Sequence, residues 1–207
     1  MHSFLIGEFC LYYFDSLPST NSWAKQYLQK HPICSPSCVY VDKQTQGRTT
    51  KKQAWVSSPE GGDLLMTLFF SIPSNHSFIS YAGHMLAAAV VCYLQEQKIA
   101  ISFKWPNDLL LEEKKIGGIL VETFDLSSTS KGLCIGLGLN VGMQPALLAT
   151  IDQKASSLSV YTNRAWDMQR LREEILRSFR SLWTRASKEG IGCIYSLLLT
   201  GPIEKKS

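Results

Sequence analysis

The sequence predicts an α+β domain: a mixed, largely antiparallel β-sheet packed on helices. Three observations support this. Short apolar runs bounded by turn residues recur from residue 8 to residue 141. Two longer stretches, 78–94 and 164–188, instead place apolar residues at helical spacing. Strands and helices also alternate irregularly, with hairpin-like pairs, which favours antiparallel pairing over repeated strand–helix–strand units. The 207 residues are 45% hydrophobic and 18% charged, enough to build a core without metal or disulfide staples.

Residues 8–14 read as a strand and Asp15–Pro18 as a turn. Ser19, Thr20 or Asn21 caps a helix through Trp23 and Tyr27 to Leu28, since short polar side chains satisfy the first free N–H groups. After breaks at Pro32 and Pro36, Cys38–Lys43 alternates as a short strand, and residues 44–54 form a polar, basic loop. Asp63–Ile72 reads as a buried strand, and Phe78–Leu94 as a helix with Met85, Leu86, Ala89, Val90 and Tyr93 on its apolar positions. Ile101–Trp105 is a strand, Leu109–Leu111 and Ile116–Phe124 pair around the charged turn between them, and Leu133–Val141 is a further strand. Arg164–Lys188 makes a long amphipathic helix. The helices are expected on one face of the sheet, in a domain spanning 1–189 with 190–207 as a tail.

Lys and Arg total 21 against 17 Asp and Glu, a net charge of +4 with no basic block. That balance suits anionic small molecules and does not point to DNA. The six cysteines form no CxxC pair, no metal site is expected, and those in apolar runs read as buried free thiols. The N-terminus lacks a basic leader region, and Glu8 and Asp15 interrupt it. No run is expected to approach the roughly 18 apolar residues of a membrane span. A cytoplasmic protein without membrane contact, a monomer or weak homodimer, is expected.

Four segments stand out from the core-forming background. Ser19-Thr20-Asn21 is by itself a helix cap. Residues 44–55 put Gln44, Gly47, Arg48, Lys51 and Lys52 on a loop ending at Trp55, suited to enclosing an anion or simply to lying in solvent. Lys104-Trp105-Pro106-Asn107-Asp108 turns into a strand carrying Lys115, Gly117 and Gly118, so that Lys115 can approach Lys104 and Asp108, and glycine permits a close approach of backbone or ligand. Gly136, Gly138 and Asn140 form a GxGxN stretch that lacks the third glycine of a dinucleotide fingerprint.

In this order and spacing, KWPND, KKIGGILVE and GLGLN resemble the catalytic domain of biotin protein ligases, the biotin–[acetyl-CoA-carboxylase] ligases, over roughly residues 8 to 145. The resemblance implies the biotin/lipoate ligase fold, which is similar to that of class II synthetases. It also implies a two-step reaction: biotin is activated by ATP and Mg2+ as biotinyl-5′-AMP, then transferred to a lysine of a biotin carboxyl carrier protein. No tightly bound cofactor is implied. By resemblance, Ser19, Thr20, Asn21, Gln44, Gly47, Arg48, Lys115, Gly118, Gly136 and Gly138 contact biotin. Arg48, Trp55, Lys104, Asn107, Lys115 and Asn140 contact ATP or the adenylate, and Lys115, Arg48, Lys104 and Asp108 are the catalytic set. No enzyme-bound nucleophile is needed, so the cysteines are expected to be idle.

The loop departs from the family's GRGRRGRxW pattern. Thr50 stands where the family has an arginine that helps hold the adenylate, and Lys51 and Lys52 supply charge without a planar fork. About 18 residues precede the Ser-Thr-Asn segment, too few for the winged-helix domain of regulatory members, and the small C-terminal barrel is likewise expected to be absent. Two rivals stand beside the biotin ligase: a lipoate or octanoate ligase or transferase of the same superfamily, and a non-catalytic biotin or adenylate sensor.

Overall fold

The strands are β1 (His2–Ile6), β2 (Phe9–Leu17), β3 (Ser37–Gln44), β4 (Leu64–Pro73), β5 (Ser102–Lys104), β6 (Asp108–Leu111), β7 (Lys114–Asp125) and β8 (Ser130–Leu139). In the computed structural model, which describes residues 2–6, 9–50 and 54–199, they form one sheet in the order β1-β2-β3-β4-β8-β7-β6-β5. The β2–β3 pair is parallel and every other pair is antiparallel. A parallel pair needs a crossover, and helix α1 (Thr20–Lys30) supplies it.

Side-chain alternation along β4 and β8 divides the molecule into two layers. Leu64, Met66, Leu68 and Phe70 of β4, with Leu133, Ile135, Leu137 and Leu139 of β8, face the main core. That core is shared with α2 (Ala82–Glu96), α5 (Met168–Glu189) and α6 (Gly192–Leu199). Phe69 and Cys134 point the other way, into a second cluster with Ala24 and Leu28 of α1. Helices therefore cover both faces, not one. The cause is a separate aromatic anchor: Trp23 and Tyr27 of α1 stack at 5.0 Å and both meet Phe69. Because β4 is buried on both faces, its sequence is an almost unbroken apolar run rather than an alternating one.

The segment Ser77–Glu96 is long and apolar enough by composition to cross a membrane, contrary to the sequence expectation. It comprises a 3-10 turn (Ser77–Tyr81) followed by α2. Here it is a core helix, apolar nearly all round because sheet, α5 and α6 pack on it from different sides. Other boundaries also move. Strand β2 continues through Asp15 to Leu17, where a turn was expected. Helix α5 starts at Met168, because the Asp167 carboxylate accepts the Arg170 N–H at 2.9 Å and caps it there. Two short helices, α3 (Pro145–Leu148) and α4 (Leu158–Thr162), fill the preceding segment. Helix α6 buries Ile194 in the main core, so the packed layer extends beyond residue 189, where the tail was expected to begin. The β6–β7 turn is tight: Glu112 and Glu113 have φ of 47° and 62°, the paired left-handed residues of a two-residue hairpin.

His84 of α2 lies between the rings of Phe103 and Tyr195, and neither of its ring nitrogens has a hydrogen-bond partner. Burial holds its pKa below the ordinary value of 6.5. The unfolded chain therefore takes up this proton near pH 6.5 while the folded chain resists it. The associated stability is present above that pH and is lost as the pH falls through the lowered folded value. Wild type should lose more melting temperature than His84→Leu between pH 7.5 and 5, as read by circular dichroism. Parallel pH profiles would show that His84 contributes nothing.

Candidate active site

The site begins at the N-terminus of α1. Ser19 is the N-cap, its side chain accepting from the Ser22 N–H. The cap reading of this segment is thus correct, yet its next two residues also face a cavity. Gln44, at the end of β3, accepts at Oε1 from the Thr20 backbone N–H (2.7 Å) and from Thr20 Oγ1 (3.1 Å). With its carbonyl so occupied, Gln44 has its amide Nε2 left as a donor. Thr67, fully buried on β4, donates to Asn21 Oδ1 (2.6 Å) and lies 2.8 Å from Thr20 Oγ1. Thr20, Asn21 and Gln44 make a polar end to the cavity, and Thr67 is buried behind them.

The floor is made by missing side chains. Gly118 and Gly138 are directly paired across β7 and β8, and Gly136 follows on the same face. A Cβ on Gly136 would collide with the Asn21 amide, and one on Gly138 would lie 2.6 Å from the Trp55 ring. Trp55 is placed by a small hairpin at the base of its loop: its N–H donates to Gly47 O at 2.9 Å, and Arg48 bridges Ala54. Leu120 adds apolar wall, while Met66 and Leu137 border the cavity from strand positions whose side chains face the main core. The remaining cavity is about 40 Å³. Small-molecule pockets run to about 300 Å³ and more, so a ring-sized ligand enters only if the Trp55 ring, which lies against Gly118 and Gly138, moves aside.

The other end is cationic. Lys115 Nζ lies 2.7 Å from Asp108 Oδ1, and its side chain is 13% exposed. The Lys115 backbone is held by a downstream strap: its N–H donates to Lys154 O, and its carbonyl accepts from the Ser156 N–H, both at 2.9 Å. The second cation of the site, Arg48, lies instead toward the α1 end: its Nη2 donates to Glu122 Oε2 at 2.9 Å and to Ser22 Oγ at 3.3 Å. Asn107 Nδ2 donates to Thr50 Oγ1 at 3.3 Å, a second tie between the loop and the sheet edge.

The structure thus brings Ser19, Thr20, Asn21, Gln44 and Arg48 to one cavity with Trp55, Asn107 and Lys115, over the three glycines. Gly47 and Asp108 stand just behind it, holding Trp55 and Lys115. Two expected residues stand apart. Lys104 is exposed on β5, opposite Asp108, and does not line the cavity. Asn140 is buried behind it, and its Nδ2 donates to Ser156 O at 3.1 Å, pinning the strap that holds Lys115. Lys51 and Lys52 lie outside the described residues. Thr67 and Glu122 were missed, since a Thr in an apolar strand and a Glu at a strand position carry no local signal. Burial pushes the Cys134 and Cys38 thiols up to about 12, so neither supplies a thiolate near neutral pH.

A Gly138→Ala change tests the floor. The added Cβ meets an aromatic ring on a partly exposed loop, so the ring should yield rather than the sheet. The variant should melt within a few degrees of wild type while Trp55 becomes more accessible to acrylamide quenching. A Trp55→Phe control isolates its signal, and unchanged quenching would contradict the packing.

A profile of the biotin/lipoate A/B protein ligase family matches residues 13–140. The bifunctional ligase/repressor BirA of Bacillus subtilis (strain 168) is 34% identical over 142 residues, covering 68% of this chain and 43% of that protein. The biotin–[acetyl-CoA-carboxylase] ligase of Paracoccus denitrificans is 26% identical over 141 residues, covering 62% and 55%. The chain spans less than half the length of the bacterial BirA relatives it matches. The biotin protein ligase from Aquifex aeolicus in complex with biotin and ATP aligns with a TM-score of 0.72 at 23% identity, covering 91% of this chain and 76% of that one. The Leishmania major enzyme in complex with biotin gives 0.72 at 20% identity, covering 92% and 80%. These structural likenesses speak for the fold. The family profile spans well over half of the chain and takes in the helix cap, the glycine floor and Lys115, so the chain belongs to the biotin/lipoate A/B protein ligase family.

Proposed function

We propose that this chain is an ATP-dependent biotin–protein ligase, forming biotinyl-5′-AMP and passing biotin to a lysine of a biotin carboxyl carrier domain such as that of acetyl-CoA carboxylase. The observation that carries the reading is the polarity of one cavity: a hydrogen-bonding end at Thr20, Asn21 and Gln44, an apolar stretch at Trp55 and Leu120, and Lys115 toward the other end. Biotin has the same order, with a polar ureido ring, an apolar chain and a terminal carboxylate. The likeness to ligases solved with biotin and ATP supports the choice.

In the first step a carboxylate oxygen of biotin attacks the α-phosphorus of ATP, and the bond to pyrophosphate breaks. Two anions must meet, so cations have to offset their repulsion where charge gathers. Lys115 is placed for this, with Asp108 fixing its ammonium and the strap fixing its backbone. Arg48 adds a second cation at the rim, and Trp55 with the glycine floor excludes water from the mixed anhydride. In the second step the carrier lysine attacks the acyl carbon and AMP departs, the attacking amine losing its proton to solvent or to a nearby base. Magnesium enters this scheme as the partner of the ATP phosphates. Among the described residues no three acidic, His or Cys side chains converge, and Asp108 and Glu122 are already ion-paired.

The deciding experiment is pyrophosphate release from the chain with biotin, ATP and magnesium. Release that requires biotin is expected; release with lipoate instead, or none with either, would sink the reading. Lys115→Ala should slow that release by roughly 10²-fold with the fold intact, and near-normal turnover would remove Lys115 from the mechanism. Thr50 offers one neutral hydroxyl where the family has a planar fork. Thr50→Arg should slow escape of biotinyl-5′-AMP by about ten- to a hundredfold, the scale of one charge-assisted hydrogen bond. An unchanged off-rate would show that the loop is closed by other contacts.

A further inference from the structure

Glu122 ends the KKIGGILVE stretch of the sequence, where it was given no role. In the structure a single oxygen, Oε2, accepts from two donors on distant elements: Asn21 Nδ2 of α1 at 2.8 Å and Arg48 Nη2 of the loop at 2.9 Å. Asn21 is itself fixed, because its Nδ2 also reaches Leu120 O and its Oδ1 accepts from buried Thr67. The carboxylate is thus held by a buried network on a central strand. Arg48, by contrast, sits on a loop with its side chain 44% exposed. Its contacts to Glu122 and Ser22 both use Nη2, and among the described residues Nη1 and Nε are left as donors on the same planar group.

We propose that Glu122 is a positioning residue that fixes the Arg48 guanidinium in advance, so that a carboxylate or phosphate ligand meets an ordered fork. This rests on the reading of the cavity as the biotin and ATP site. An unpinned Arg48 has to be ordered by the ligand, and that requirement falls equally on the bound ground state and the transition state. A loss of this kind raises KM and leaves kcat alone. Immobilising one long side chain corresponds to about three- to tenfold in affinity.

Glu122→Gln removes the charge while keeping an acceptor for Asn21. The expected result is a three- to tenfold rise in KM for biotin, with kcat within about twofold of wild type. In an Arg48→Ala background the same substitution should change nothing further. A second readout needs no ligand: the side-chain nitrogen NMR signals of Arg48 should show restricted guanidinium rotation in wild type and averaging in Glu122→Gln. The proposal is overturned if KM does not move, if the effect persists without Arg48, or if the Arg48 signals are equally restricted in both proteins. A wild type without biotin-dependent turnover would defeat the ligase reading alone, and the Arg48 signals would still decide the role of Glu122.

Discussion

Everything at the site depends on one face of the β7–β8 pair being bare. Gly118, Gly136 and Gly138 leave a strip of exposed backbone into which helix α1 can lower Asn21 and the loop can lower Trp55. Side chains there would push both away, and the polar and cationic ends of the cavity would lose their common floor. Glycines within strands weaken a sheet. Here the weakness is offset from the opposite face, where Ile119, Leu137 and Leu139 pack into the main core. The sheet is a structural wall on one side and the floor of the cavity on the other, and the alternation of the strand keeps the two roles apart.

Over that floor the polar groups form a connected series rather than a scatter of contacts. Gln44, Thr20, Thr67, Asn21, Glu122 and Arg48 are linked in turn by hydrogen bonds across β3, α1, β4, β7 and the loop. Buried polar groups destabilise when unpaired and stiffen a structure when all are satisfied. The arrangement therefore makes a stiff polar end to the cavity, tied across five elements.

Much of this was legible from the chain, for identifiable reasons. The Lys115–Asp108 contact follows from a strand leaving one motif and pairing back on it, which short-range sequence reveals. The helix cap and the loop announce themselves by polarity. What was hidden depends on long-range packing. Nothing local shows that α1 leaves the helix layer for the other face, since that is decided by Phe69, more than forty residues away. Thr67 hides within an apolar run, and Asn140, in a stretch that resembles a binding motif, in fact supports a backbone strap. Lys104 sits in the motif beside Asp108, but its strand position turns it to solvent.

The strap that holds Lys115 has a consequence for where the working unit ends. The segment matched by the family profile stops at residue 140, yet the backbone of Lys115 is gripped by Lys154 and Ser156. Asn140 grips Ser156 in turn, and the Leu158 N–H returns to Asn140 O at 3.0 Å, closing a short loop of chain around the lysine. The stretch that carries the family signature is therefore smaller than the stretch that fixes the backbone of Lys115. During synthesis the lysine would emerge some forty residues before the backbone that steadies it, so the site is completed late, after the sheet beneath it has its full set of strands.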